Sequence, residues 1–575
     1  MRAKARRLLG DWDVLSAVAV VILAIGSAQL VAGAFAFGLS FDEPIHQDRT
    51  IGWLEDGWYV PPYWLEDGEP DPESSYSTPW VYGPATAALS HVANVLVQNE
   101  PWDDVASSHG SYQARHVVVA LLAALAVAAV GAAAWLLTRS RVLGLWTAAA
   151  LLCVPRFTGH AFFNPKDIPA ASGYTLLTVG LLFALLQEPG GPASRKRKVG
   201  IAAAIAGGIL IGPGTRLSLW LPLVIAILTY AVLRVGQARL GGVSRDRGLD
   251  VAVGVGAAIG FLGVAALYPN VARTPITLLT ESVFDSAGYE YSGKILTAGQ
   301  LLPAHPPIWY LPAWFGSTYP VLLSALAALG AWVGLTALVR ARGEVWGRRE
   351  LGLLLVLQQA VMLPVAVILA GSPVYNGIRQ HLYVLPALTI LAGFGAWWLL
   401  RRARSRSSGR AWGSVAAGAL CLALIVPMAA QSLLFPYNYT FFNPVAALTG
   451  GVDDRWETDY WWGSKADAYK RVPIGVPVRC SPDLQTRNPD DEVEFEECGG
   501  DRIDIVATER GTEVEPEAAE GAPAVWVLGR KREGNRPPPY CEDADSITRW
   551  LWGETVTISY VLRCDPSRVP PLDSD

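Results

Sequence analysis

Eleven candidate membrane spans, each free of Asp, Glu, Lys and Arg, stand at roughly 14–41, 116–138, 142–155, 168–187, 199–215, 217–233, 251–272, 314–339, 351–378, 380–400 and 411–452. A helix rises about 1.5 Å per residue, so about 20 apolar residues cross ~30 Å of hydrocarbon. Most of the stretches reach that length, and 142–155 is the shortest. The pattern predicts a polytopic α-helical membrane protein with about 11 transmembrane helices. The segments between the stretches alternate in character. Basic clusters stand at Arg2/Lys4/Arg6/Arg7, Arg139/Arg141, Arg195–Lys198, Arg234–Arg247, Arg340–Arg349 and Arg401–Arg410, whereas the other connections are acidic, aromatic or neutral. The positive-inside rule places the basic set and the N-terminus in the cytoplasm. Eleven crossings then satisfy every loop and leave the C-terminal segment outside. The first stretch has a basic start and an A-x-A sequence at Ala34–Ala36, as a signal peptide does. Its apolar part is longer than a usual h-region and ten further stretches follow, so an uncleaved anchor is expected.

Composition agrees. Hydrophobic residues make up 51% of the 575 residues and charged ones 17%, and the mean hydropathy is +0.29, which argues against a soluble multidomain enzyme. Residues 434–575 hold 15 Lys/Arg against 27 Asp/Glu, a net −12 within a chain total of −5, so the first 433 residues carry +7. That split divides the chain into a membrane domain, 1–433, with a first outer loop at 39–113, and an acidic extracytoplasmic domain, 434–575. No basic soluble face for nucleic acid is present. The stretches "RIDIVATER", "AVWVLGRK" and "TVTISYVLR" alternate apolar and polar residues, which predicts a small α/β or mainly β domain in the tail. Cys480, Cys498, Cys541 and Cys564 lie there. Outside the cell they favour two disulfides, with three possible connectivities. Cys480–Cys498 and Cys541–Cys564 close the short local loops. A zinc site is disfavoured, because the tail has no C-x-x-C spacing and no histidine.

None of the eleven stretches has an ionisable Asp, Glu, Lys or Arg at its centre, where ion-coupled transporters keep theirs. The polar chemistry gathers at the outer boundary instead, with all seven histidines in outer loops or at outer helix ends. Phe41-Asp42-Glu43-Pro44-Ile45-His46 follows the first stretch and offers two adjacent carboxylates. Neighbouring residues diverge by about 100° on a helix and about 180° on a strand, so only one of the pair aims at a given point. An acidic loop start with Pro44 in the first helical turn is the plain alternative. His160-Ala161-Phe162-Phe163-Asn164-Pro165-Lys166-Asp167 carries the sole lysine between Lys4 and Lys196, in a chain with 38 Arg and 8 Lys. A compact ammonium at an outer boundary suits a phosphate; a bridge to Asp167 or snorkelling to headgroups is the alternative. Arg216 and Arg379 also break the outside-is-not-basic pattern, so each asks for an anionic partner. Trp309 and Tyr310, in Pro306-Pro307-Ile308-Trp309-Tyr310-Leu311-Pro312, suit an aromatic belt.

In order along residues 1–470, "FDEPIH", "FFNPKDIP", "GTR", "PPIWYLP", "YNGIRQHLYVLP" and "WETDYWWGSKADAYKR" resemble the bacterial membrane glycosyltransferases of family 39. These are GT-C-fold relatives of the protein O-mannosyltransferases and of the lipid A aminoarabinose transferase. The resemblance implies a GT-C-like fold and an inverting transfer of a sugar from a polyprenyl-phosphate carrier to a hydroxyl acceptor on the outer face of a bacterial cell membrane. Under it Asp42 is the catalytic base and Glu43 its neighbour. Lys166, Arg379 and Arg216 meet the carrier phosphate, with His381 beside them, and His46, Trp309 and Tyr310 contact sugar or acceptor. The chain lacks the large β-trefoil insertion of the eukaryotic relatives, which leaves the acceptor open among protein, lipid and cell-wall glycan. The sugar, a metal requirement and the oligomeric state are likewise not specified. A transporter or flippase of lipid-linked sugars, or a non-catalytic scaffold, are the competing classes.

The topology is testable by labelling. Cysteines introduced into Arg195–Lys198 or Arg401–Arg410 should react only with membrane-permeant maleimides, and one near Gly68 with impermeant ones. Labelling of Arg401–Arg410 from outside intact cells would overturn the arrangement.

Overall fold

The structure, a computed structural model, describes residues 2–71, 78–98, 109–186, 193–242, 246–289, 291, 293–405, 408–473, 476, 478–481, 496–497, 524–530 and 537–569. Among these, ten helices are long and apolar enough to cross a membrane: Val14–Ala36, Tyr112–Thr138, Asp167–Leu185, Arg195–Thr215, Leu217–Arg239, Arg247–Leu267, Val321–Gly347, Arg349–Ala370, Val384–Arg404 and Gly409–Leu434. Asp167–Leu185 is almost wholly enclosed by its neighbours. The outer helices turn large apolar side chains such as Val232, Val339 and Leu369 outward, as lipid-facing surfaces do. The protein is a polytopic α-helical membrane protein with a β-sheet at its C-terminal end.

The eleventh predicted stretch is a broken crossing. Helix Arg141–Leu152 has 12 residues, and Cys153 and Val154 interrupt it before the six-residue helix Pro155–His160. Proline at the first position of the second helix has no N–H to donate and would clash with the preceding turn, so the break falls immediately before it. Arg139 and Arg401 line one cleft at the basic end. Lys166 contacts Asp42 at the other end, as does Arg379. Helix Val384–Arg404, 21 residues and about 31 Å long, separates those ends. The segment 141–165 therefore traverses the bundle, and every crossing predicted from the pattern is present, ten as single long helices.

The tail folds into a six-stranded sheet along the path Glu496–Glu497, Val478–Ser481, Val525–Arg530, Glu554–Cys564, Cys541–Asp543, with Ile547–Leu551 also paired to Glu554–Cys564. All pairs are antiparallel except Val478–Ser481 with Val525–Arg530. "AVWVLGRK" and "TVTISYVLR" are strands as expected, whereas "RIDIVATER" lies outside the described residues. The register of Glu554–Cys564 shifts between Thr557 and Ser559. An inserted residue exchanges the two faces of a strand. Val556 and Ile558 accordingly pack into the core shared with the helices, while Tyr560, Leu562 and Cys564 join a second cluster. The Cys541–Cys564 disulfide is formed. Cys480 is disulfide-bonded, and its predicted partner Cys498 lies outside the described residues. The sheet also grips the segment after the last crossing: Trp552 Nε1 donates to Phe442 O at 2.7 Å, and the Glu554 carboxylate accepts from Val452 N at 3.0 Å.

That segment docks against the broken crossing through Gly159. A Cβ placed there would meet Tyr439 N at 2.1 Å and the Asn438 carbonyl carbon at 2.6 Å. Gly159→Ala should therefore lower stability by about 1–3 kcal/mol or more through overpacking, read as a lower midpoint of thermal unfolding in detergent. Gly200→Ala, in a helix with nothing within 4 Å of the new methyl, should be neutral or stabilising. Equal effects at both positions would contradict the close approach.

Candidate active site

The first helix ends at Ala36, and the chain is caught at once: Phe37 stacks on Phe163, in the connection before helix Asp167–Leu185, with ring centroids 4.1 Å apart, and Phe41 N donates to Trp461 O, in the segment after the last crossing, at 2.9 Å. Helix Glu43–Glu55 then starts, with Pro44 in its first turn and Asp42 at its N-cap. Asp42 makes no capping bond with its side chain, which is left for other partners. The two carboxylates of the pair point apart, as the backbone geometry requires.

Glu43 is fully buried. Its Oε1 lies 2.7 Å from His116 Nε2, its Oε2 accepts from Ser40 N at 2.7 Å, and its backbone O accepts from Arg115 Nη1 at 3.2 Å. His116 Nδ1 sits 3.1 Å from Ala34 O. Glu43 thus ties the exit of the first helix to the second crossing and does not face the open site. Asp42 is about a quarter exposed. Its Oδ2 receives both the Lys166 ammonium and, at 3.2 Å, Arg379 Nη1. Burial disfavours its charge, but Lys166 first and Arg379 second outweigh burial and hold the carboxyl well below the ordinary aspartate value.

Lys166 is positioned by its own motif. The Asn164 side-chain oxygen accepts from Lys166 N at 3.2 Å and Asp167 N at 2.9 Å, and Asn164 Nδ2 donates to Asp167 Oδ2 at 2.9 Å. Asn164 Nδ2 also donates to His160 Nδ1 at 3.0 Å, so His160 Nε2 carries the proton and donates to Tyr460 OH at 2.8 Å. Asp167 does not take Lys166. It pairs with Arg216, Nη2 to Oδ1 at 2.6 Å, so the expected alternative for the lysine is replaced by a different bridge.

Aromatic rings wall the cations. Trp461 lies under Lys166 at 5.2 Å and under Arg379 at 4.6 Å. Tyr82 faces Lys166 at 5.3 Å and Arg216 at 5.7 Å, and Tyr375 faces Arg379 at 4.7 Å. Trp461 is aimed by a turn around buried Asp459, which receives the Tyr439 hydroxyl, the Ser464 hydroxyl and Gly463 N. Arg156, completely buried, fills the floor between Trp314 and Phe442, donating from Nε to Phe441 O at 3.0 Å.

The remaining predicted residues divide. His46 is buried behind Tyr82, its ring edge-on at 5.3 Å and its Nδ1 3.3 Å from Tyr59 OH. Burial holds it well below the usual histidine value. His381 is buried near Arg216 and pushed down to about 3, chiefly by burial. Tyr310 is buried away from the cations. Its OH accepts from Gly377 N at 3.0 Å and donates to Gly377 O at 3.3 Å, fixing the turn in which Asn376 and Gly377 both take positive φ just before Arg379. Trp309 is exposed and does not join the cluster. Sequence reasoning did not single out Tyr82, Tyr375, Trp461 or Arg156. Tyr375 and Trp461 lie inside the motifs YNGIRQHLYVLP and WETDYWWGSKADAYKR, Tyr82 had only the aromatic density of the first loop as a signal, and Arg156 only its place at the end of a charge-free stretch.

Three cations, Lys166, Arg216 and Arg379, thus face two carboxylates, Asp42 and Asp167, with neutral histidines around them. The cluster carries one net positive charge inside a cage of aromatic rings. Among the described residues no group of three or more His, Cys, Asp and Glu is placed to hold a metal ion.

No family model matches the chain, and no curated protein matches it. Among solved structures it is similar to crystal structures of ArnT from Cupriavidus metallidurans, one bound to undecaprenyl phosphate and one in the apo state. Each is 13% identical with a TM-score of 0.43, and the alignments cover 96% of this chain and 99% and 98% of those chains.

The geometry of Glu43 generates a pH-dependent prediction. Burial raises its pKa, but His116, Ser40 N and Arg115 lower it further, so the folded value lies below the ordinary 4.5. A depressed carboxylate contributes stability that is present above the ordinary value and lost as pH falls through the folded one. Glu43→Gln should cost about 3–5 kcal/mol by leaving a buried partner unmatched, and should flatten the acid limb of the unfolding midpoint below about pH 4.5. An unchanged acid limb would mean that Glu43 is not the locking group.

Proposed function

We propose that this chain is an inverting glycosyltransferase that moves a sugar from a polyprenyl-phosphate carrier to a hydroxyl acceptor, at the extracytoplasmic face of a bacterial cell membrane. The observation that carries this reading is the convergence of Asp42, Lys166 and Arg379 from three separate connections at one end of the helix bundle. A lipid-linked donor places its phosphate at that depth, with its chain left among the helices. In the reaction the acceptor oxygen bonds to the anomeric carbon from the side opposite the phosphate, and its proton passes to Asp42. The bond from that carbon to the phosphate oxygen breaks, and the electron pair stays on the phosphate, where Lys166 and Arg379 meet the charge. Arg216, held by Asp167, supports the same anion from the far side of Tyr82.

The N-terminus is cytoplasmic in this reading, because the end of the bundle opposite the site holds the basic clusters. The membrane domain, 1–433, and the acidic domain, 434–575, meet at the site, since Trp461 of the second walls the cations of the first. The disulfide-linked sheet that follows forms the extracytoplasmic addition.

Asp42→Asn keeps shape but removes the proton acceptor, so transfer should fall by ~10²–10⁴-fold while the protein remains folded. Lys166→Ala should weaken donor binding as well as transfer, and Lys166→Arg should restore only part, because a planar guanidinium cannot replace a compact ammonium in place. The measurement is transfer of radiolabelled sugar from polyprenyl-phosphate donors to envelope acceptors. Full activity in Asp42→Asn would refute the reading.

A further inference from the structure

We propose that Asp42 occupies the phosphate seat of the ligand-free site, so that the arriving carrier phosphate displaces its carboxylate from Lys166 and Arg379 and thereby frees it to act as the base. This rests on the glycosyltransferase reading and adds a coupling between donor binding and base activation.

Both cations approach the same oxygen of Asp42, Oδ2, as they would approach one oxygen of a phosphate. A carboxylate clamped in that way is a weak proton acceptor, since its pKa is held low by the very charges that the reaction needs for the leaving group. Each cation also has ring faces against it that do not involve Asp42. Trp461 supports both, with Tyr82 against one and Tyr375 against the other. The two acids of the site differ in the same sense. Asp167 has a side chain 2% exposed and its own bridge to Arg216, whereas Asp42 is 24% exposed and has no capping bond to hold it. The groups that face Asp42 electrostatically are Lys166, Arg379 and His46, with Tyr289 and Tyr375 beyond them. Asp167 also acts on both cations from a distance, but its carboxylate is held by Arg216 at 2.6 Å, so Lys166 and Arg379 are left without a bridging carboxylate when Asp42 turns away. A phosphodiester brings one negative charge, and the released phosphomonoester up to two. In the forward step the acceptor proton ends on Asp42 and the electron pair on the carrier phosphate. Loss of that proton to water restores the carboxylate, which then competes for the cations and assists product release.

The test is binding of undecaprenyl phosphate, free of sugar, to the full-length chain in lipid nanodiscs, followed by quenching of tryptophan fluorescence. Asp42→Asn removes the internal occupant and should bind about ten-fold tighter than the native protein, about 1.4 kcal/mol. Lys166→Gln should bind more weakly. A second measurement needs no substitution: the infrared difference spectrum of the native protein on adding undecaprenyl phosphate should contain a carboxylate band that is absent in Asp42→Asn. If native protein binds and Asp42→Asn binds equally or more weakly, or the carboxylate band is missing, the seat is not occupied by Asp42 and only this inference falls. If the native protein does not bind undecaprenyl phosphate at all, the glycosyltransferase reading falls with it.

Discussion

One carboxylate shared between an ammonium and a guanidinium, at the edge of an apolar bundle, sets the terms for everything around it. Charges removed from water are costly unless each is met by an opposite charge or by hydrogen bonds. Lys166 and Arg379 are nearly enclosed, so the structure must supply Asp42, the faces of Trp461, Tyr82 and Tyr375, and the Asp167–Arg216 pair beside them. Rings satisfy a cation without a full counter-charge. That leaves the cluster with a surplus positive charge, which an acid in place of each ring would have cancelled.

The connections at this end of the bundle are arranged to hold this cluster still. The first loop brings Asp42, the connection into the central helix brings Lys166, the turn before the penultimate crossing brings Arg379, and the segment after the last crossing brings Trp461. Each is pinned by a separate buried network: Glu43 on His116, Asn164 on the start of its helix, Tyr310 on Gly377, and Asp459 on its own turn. The C-terminal sheet adds a further brace through Trp552 and Glu554. A site built from four distant pieces of chain keeps its geometry only if every piece is fixed independently.

The crossings were legible in the sequence because charge-free runs of sufficient length have few other stable solutions in a bilayer. The cations were legible for a similar reason: Lys166, Arg216 and Arg379 stand where positive charge is otherwise avoided. The separation of Asp42 from Glu43 was not, since adjacency says that two carboxylates diverge but not which one is buried. That depended on His116, more than 70 residues away. Nor was the exchange of partners that gives Asp167 to Arg216 and Lys166 to Asp42. The aromatic walls were hidden because tyrosines and tryptophans at a membrane boundary have a sufficient explanation without any ligand.

The broken crossing at 141–160 bears on how the chain enters a membrane. Helix Arg141–Leu152 is too short to span alone, and the piece beyond the break carries Arg156 and His160, both fully buried. An arginine at membrane depth costs about 2.5–3.5 kcal/mol even on an insertion scale, so this segment is a poor candidate for independent partitioning during synthesis. Its short cap at Ser140 follows directly on the preceding helix, Tyr112–Thr138, against which it packs. The two form a helical hairpin in which the long helix has the apolar length that the short one lacks. Of the partners of Arg156, the ring of Trp314 lies about 160 residues further along the chain, and Phe441 O and the ring of Phe442 about 285. A chain ending before residue 440 would offer that arginine the face of Trp314 but no hydrogen-bond acceptor from Phe441, so the floor of the site needs the segment after the last crossing.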